Sequence, residues 1–442
     1  MSLLKKIVMA GLALVMALEA GAQTPVLSLE EAMGIALRNN YDIRLSRNDS
    51  SLAALDYAYS LYAFAPRLSA AGGVLYNNNS QRQTFQDNTE RSSNGIRSRN
   101  LTGSVNLDWT LFDGGRMFIA RHRLREVLRL GELEIKNQII NSLSAVMRNY
   151  FAIVAQEQQL RALQEQMQLS KDRLNLAQLK FDVGTGVKPD VLQAQIDYNN
   201  QQASYMATEA EAEKLKTQLN VLLGLSPRAV YRVADTAIEN ETGFLPDTTL
   251  HNLLASNPAL QLSAQRVTVT GLQLREARTE LLPRLSFNSA YNFNRTSNNT
   301  VINPYSPLFN QNAGFNYGFT ASVPIFNGFS VRRNIKAAEL DVAYQELNFE
   351  RTKDTVQNAL LTAWRDYDLY KRTVHLQEEN LKLVRENLMI ARERYRIGIS
   401  TYLEMREAEQ NLATASASLI NARYDAKLAE IELLRLTGRL VL

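Results

Sequence analysis

Cysteine is absent from the 442 residues, which excludes disulfides, thiolate metal sites, cysteine nucleophiles and an N-terminal lipid-bearing cysteine. Histidine is scarce. His122, His251 and His375 lie far apart and offer no metal-ligand spacing, so no metal site is expected. Neither sign of charge dominates: 49 basic and 45 acidic residues leave a formal net charge of +4, and the two alternate along helical stretches. That balance offers no nucleic-acid footprint. A phosphate-binding loop, a HExxH motif and a GxSxG elbow are all missing, and Gly184-Thr185-Gly186 is too short and misplaced for a nucleotide loop. No enzyme activity and no cofactor are therefore expected. Beyond the first 22 residues no stretch is apolar enough for a membrane helix, so any membrane contact must be made another way.

The N-terminus has Lys5 and Lys6, an apolar run from Ile7 to Leu18, and then Ala20-Gly21-Ala22, the layout of a cleavable secretory signal at 1–22. The run falls well short of the roughly 20 residues that span a bilayer as a helix.

What the remainder contains is one unit written twice. Ala65-Pro66-Arg67-Leu68-Ser69 recurs as Leu282-Pro283-Arg284-Leu285-Ser286, a shift of about 217 positions. Leu111-Phe112-Asp113-Gly114 recurs as Ile325-Phe326-Asn327-Gly328, a shift of about 214 that persists to the end, where Gly224 matches Gly438. The first repeat covers 23–225, with strands at about 66–79 and 99–112 and long helices at about 114–183 and 188–224. A polar linker at 226–247 leads to the second repeat, 248–442, with strands at about 283–296 and 314–327 and helices at about 328–397 and 401–438.

The strands are expected from strict alternation. Leu101, Gly103, Val105, Leu107, Trp109 and Leu111 alternate with polar residues, as do Phe287, Tyr291 and Phe293, and Phe315, Tyr317, Phe319, Val323 and Ile325. About ten residues each, apolar and aromatic on one face and rich in Asn, Ser and Thr on the other, suit transmembrane β-strands; a soluble sheet over a core gives the same alternation. The polar stretches Gln81 to Asn100 and Arg295 to Ala313 are expected as loops. Nearly 70 residues without proline after each strand pair predict helices of roughly 100 Å. Asp113 and Asn327 are candidate N-caps, and Asp190 with Gln193 and Thr401 with Glu404 have the spacing of capping boxes.

Each long helix carries two apolar seams of seven-residue period: Leu160, Met167, Leu174 and Phe181 beside Ala162, Leu169, Leu176 and Val183, and in the second copy Val374, Leu381, Leu388 and Tyr395 beside Leu376, Leu383, Ile390 and Ile397. Two seams imply a neighbour on both sides, as around a hollow cylinder; a wide face in a solid bundle would read alike. Four strands cannot seal a barrel, and an open edge in lipid leaves backbone groups unpaired at several kcal/mol each. Three chains would pool twelve strands around a lumen, where two would give eight and a filled interior.

The duplicated Pro-Arg-Leu-Ser strand starts, the Leu-Phe-Asp-Gly-Gly and Ile-Phe-Asn-Gly turns and the Val183-Gly184 and Ile397-Gly398 tips resemble the outer membrane efflux protein (TolC) family over nearly the whole mature chain. The resemblance implies a mostly α, α+β homotrimer: a twelve-stranded outer-membrane β-barrel in contact with lipid and continuous with a long periplasmic α-helical barrel, girdled by the linker. It implies an exit duct for efflux or type I secretion, fed by a periplasmic adaptor protein and an inner-membrane pump. It assigns adaptor docking to Val183, Gly184, Thr185, Ile397, Gly398 and Ile399. It assigns a periplasmic gate to Asp190 with Tyr395, and an acidic ring to Glu404 and Glu407. Ser400 stands where the family has a gate arginine, so either Arg394, Arg396 or Lys188 replaces it or the lock is looser. A periplasmic coiled-coil tether is the other reading; it accounts for the helices but not for the strands.

Overall fold

The computed structural model describes residues 25–238, 253–302 and 305–440. The expected signal at 1–22, the linker beyond residue 238 and His251 lie outside the described residues. Strand β1 (Val26–Leu27) precedes α1 (Leu29–Asn39), α2 (Tyr41–Tyr59), β2 (Arg67–Thr84), β3 (Glu90–Asp113), α3 (Arg116–Asp182) and α4 (Lys188–Leu223). Strand β4 (Arg232–Val233), α5 (Leu253–Ser256), α6 (Pro258–Arg278), β5 (Arg284–Asn298), β6 (Phe309–Ser322), α7 (Ser330–Arg396) and α8 (Tyr402–Thr437) follow.

The two copies correspond in detail. Helices α3 and α7 each have 67 residues, and α4 and α8 each have 36. Asn40 caps α2 by accepting from Ile43 N at 3.1 Å, while its amide donates to Leu222 O at 2.7 Å. Asn257 repeats this at α6, accepting from Leu260 N at 3.0 Å and donating to Leu436 O at 2.8 Å. One buried side chain thereby starts one helix and satisfies a free carbonyl at the end of another. Glycine is what permits the approach. A Cβ on Gly224 would lie 2.5 Å from Asn39 O and one on Gly438 would lie 2.4 Å from Ser256 O, and both residues have positive φ, 66° and 69°.

The chain divides into two compact units: residues through Asn48 with Leu133–Leu262 and Arg351–Leu442, and Asp49–Glu132 with Ser263–Glu350. The first is helical, apart from the parallel pair β1 and β4. Its larger core gathers Leu143, Val146, Tyr150, Ile153, Leu219 and Leu223. Tyr150 donates to Leu27 O at 3.1 Å and accepts from Asp235 N at 3.4 Å, pinning the start of the linker to the head of the chain. A second core gathers Leu260, Leu360, Tyr367 and Leu433.

The second unit holds an antiparallel sheet in the order β2-β3-β5-β6, so β2 and β6 each have a neighbour on one side only. Its register puts Leu68 opposite Leu107, Val105 opposite Tyr291 and Tyr291 opposite Phe315 on one face. That face is uncovered: Phe315, Tyr317 and Phe319 are 67%, 72% and 69% exposed. Among the described residues no helix is long and apolar enough to cross a membrane.

Three expectations are corrected. The stretch from Gln81 to Asn100 is not a loop: Gln81–Thr84 pairs with Glu90–Ser93, so polar side chains continue the ladder, where backbone groups rather than side chains do the bonding. Strand β6 runs from Phe309 to Ser322 rather than over 314–327; Pro324 removes a donor, and Val323 and Ile325 fall outside the sheet. On α3 the two apolar seams flank the buried stripe instead of forming it. That stripe is Leu163, Gln166, Ser170, Arg173 and Ala177, and the seam residues from Leu160 to Leu176 are half-buried beside it.

Candidate functional site at the helix tips

At each tip a long helix ends on a left-handed glycine, Gly184 with φ 76° and Gly398 with φ 81°. Thr185 N donates to Lys180 O at 2.9 Å, and Ile399 N to Arg394 O at 3.0 Å, which satisfies the last free carbonyls. Val183, Gly184, Thr185, Ile397, Gly398 and Ile399 are all exposed, and a Cβ on either tip glycine would meet nothing within 4 Å. Their positive φ favours glycine; neighbouring atoms do not require it.

Helix α4 begins differently from its twin. Thr401 caps α8 by accepting from Glu404 N at 3.3 Å. Residue Val187 occupies the corresponding place for α4, without a side-chain bond, and Pro189 sits in the first turn. Asp190 is therefore inside the helix, and Gln193 donates instead to Asp197 at 3.0 Å, so the capping box expected of Asp190 and Gln193 does not form.

Tyr395, 5% exposed, meets a cation that the sequence did not single out. Lys180 Nζ lies 3.8 Å from the centre of its ring and donates to its carbonyl at 2.9 Å. Burial first, and the charge of Asp190 second, push the Tyr395 phenol above its ordinary value. Arg396, one of the candidates for the gate arginine, donates to Glu393 on its own helix at 3.0 Å. Ser400, in the arginine's place, donates to Glu404 at 2.7 Å. Glu404 and Glu407 are exposed.

A buried ionic cluster lies next to this. Arg173 on α3, with its side chain 3% exposed, donates to Asp197 of α4 at 2.9 Å and pairs with Glu409 of α8 at 2.7 Å. Arg406 Nε also reaches Asp197 at 2.9 Å, and the Tyr402 hydroxyl donates to it at 3.3 Å. Three helices are thus tied by one carboxylate. Burial holds the Glu409 carboxyl above its ordinary value and pushes Tyr402 up to about 12. Sequence reading missed this cluster because it followed apolar seams; the usable signal was an arginine seven residues after Gln166 and three after Ser170, on one helix face.

Among the described residues no group of three or more His, Asp or Glu could hold a metal. The tips offer close polar contacts, exposed apolar corners and acidic side chains.

The class of protein follows from comparison with known proteins. The sequence profile of the outer membrane efflux protein family matches residues 32–225 and 249–439, and the chain belongs to this family. The outer membrane efflux protein BepC of Brucella suis is 21% identical over 93% of this chain and 86% of its own length. The alkaline protease secretion protein AprF of Pseudomonas aeruginosa is 22% identical over 90% of this chain and 83% of its own. The Campylobacter jejuni CmeC outer membrane channel has the same fold, with a TM-score of 0.78 at 19% identity, covering 93% of this chain and 85% of that one. The protein is an outer-membrane channel of the efflux and secretion class, in a family of channels rather than enzymes.

Proposed function

We propose that three copies pool their strands into a twelve-stranded lipid-facing barrel continuous with a periplasmic α-helical barrel, and that this trimer passes solutes delivered by a periplasmic adaptor and an inner-membrane pump. The observation that carries the reading is on α7. Of its two seams, Val374, Leu381, Leu388 and Tyr395 are at least half-buried within the chain, whereas Leu376, Leu383, Ile390 and Ile397 are 62%, 66%, 51% and 56% exposed. A heptad seam left open needs a second helix, and a copy of the chain supplies one. The single-sided strands β2 and β6 need partners for the same reason. A coiled-coil tether would also fill the open seam, but it would not need partners for the strands.

In this reading Asp190, Tyr395 and Lys180 draw the tips together, and Glu404 and Glu407, repeated by symmetry, ring the entrance and favour cations. The exposed docking set from Val183 to Thr185 and from Ile397 to Ile399 receives the adaptor. The test is the mass of the particle after mild detergent extraction of outer membranes. A trimer is expected, with Leu383→Glu shifting it toward monomer; a monodisperse wild-type monomer would overturn the proposal.

A further inference from the structure

Toward the end of the sheet away from the helices, the apolar face changes character. Register sets Tyr76 opposite Arg99 and Asn78 opposite Arg97, and across β3 it sets Leu101 opposite Arg295. Side chains two apart along a strand share a face. Arg97, Arg99 and Arg295 therefore project on the same side as Leu101, Val105, Tyr291 and Phe315, at the rim of the apolar band. All three are exposed. The Arg99 guanidinium carbon lies 5.6 Å from the Tyr76 ring centre, and that of Arg295 lies 4.9 Å from the Phe309 ring centre. An open hollow of about 410 Å³ is lined here by residues of both faces, among them Tyr76, Asn78, Arg97, Arg99, Ser297 and Asn299.

Three guanidinium groups at the edge of an aromatic, lipid-suited surface need counter-charge, and a soluble anion would make no use of the surface beside them. Aromatic rings brace two of the forks, which lowers the entropy lost when they engage oxygen atoms. Asn78, Ser297 and Asn299 add donors and acceptors of the kind that match sugar hydroxyls. The strands enter from helices at the opposite end, so in an exit duct this rim meets the outer leaflet.

We propose that Arg97, Arg99 and Arg295 form a binding site for the phosphates of lipid A, the acylated glucosamine disaccharide of the outer leaflet, with its acyl chains lying along the apolar band. Each guanidinium can offer paired donors to phosphate oxygens. The proposal rests on the sheet being the membrane-crossing part of the trimer.

The test uses the full-length trimer in mild detergent and fluorescent lipid A, followed by anisotropy. Replacing all three arginines by glutamine should weaken binding about tenfold or more, and replacing them by lysine, which keeps charge but loses the fork, should give an intermediate loss. Lipid A stripped of phosphate should bind the wild type as weakly as diphosphorylated lipid A binds the glutamine variant. Equal binding by wild type and glutamine variant overturns the site, and so does displacement by phosphatidylglycerol or inorganic phosphate as effective as by lipid A. Labelling of Tyr317→Cys by a water-soluble maleimide in proteoliposomes separates the two failures. Protection with no lipid A binding refutes this site alone, whereas free labelling refutes the membrane-crossing sheet and the site with it.

Discussion

Lys180 of α3 and Tyr395 of α7 join the two helix tips through two contacts at once, the ammonium 3.8 Å over the ring and 2.9 Å from the carbonyl of the same residue. Removing them should loosen a closed duct. A cation–π contact of this kind is worth roughly 0.5–1 kcal/mol. Lys180→Met should therefore raise open probability in planar bilayers about two- to fivefold, by the same estimate. Asp190→Ala with Tyr395→Phe should also raise it, and Tyr395→Ala more than Tyr395→Phe, which keeps the ring under Lys180. Recordings indistinguishable from wild type would remove these residues from the gate.

Glu404 and Glu407 test a separate property. Their double change to glutamine keeps the size of the side chains and removes charge, so cation preference should fall while trimer yield stays constant. Reversal potentials in asymmetric salt read this directly, and an unchanged value would assign both to helix-end chemistry.

The Arg173 cluster should govern stability. Deleting one partner of a buried ion pair costs about 3–5 kcal/mol, so Arg173→Met should lower the thermal midpoint of the helical unit markedly. Burial raises the folded pKa of Glu409, so the native state holds its proton more tightly than the unfolded chain. Its contribution to stability therefore grows as pH falls through the raised folded value, and levels off below the ordinary carboxylate value. Across that window the denaturant midpoint of the wild type, relative to that of Glu409→Gln, should rise toward acid. A difference between the two proteins that does not change with pH would remove Glu409 as the source.

Glycines that share a left-handed φ should respond unequally. Gly224→Ala and Gly438→Ala place a Cβ within 2.5 Å of a carbonyl oxygen and should reduce the yield of folded protein. Gly184→Ala and Gly398→Ala meet no neighbour and incur only the left-handed strain, about 1–2 kcal/mol. Bulky residues at the latter two should abolish transport with trimer yield intact. A yield lost at all four positions would favour a purely structural role for the tips.

Asn88, in the turn between β2 and β3, and Asn299, just after β5, are both exposed. Cysteines introduced there should react with an impermeant reagent on intact cells. Protection of both would place these ends of the strands in the periplasm.

The duplication, the strand alternation, the proline-free helices and the capping pair Thr401 and Glu404 were all readable from the chain, because each depends on residues a few positions apart or on a pattern repeated along one element. Turn chemistry at Gly184 and Gly398 was readable for the same reason. The hairpin past Gln81 was hidden because its ladder is made by backbone groups, to which Asn, Ser and Gln side chains give no clue. Arg173 and Lys180 were hidden more deeply. Each is an ordinary cation in sequence, and only the packing of α3 against helices far along the chain buries Arg173 between Asp197 and Glu409 and sets Lys180 over Tyr395. Local periodicity determined which elements form; the desolvation of particular charges, which depends on what surrounds them in space, was decided by tertiary structure alone.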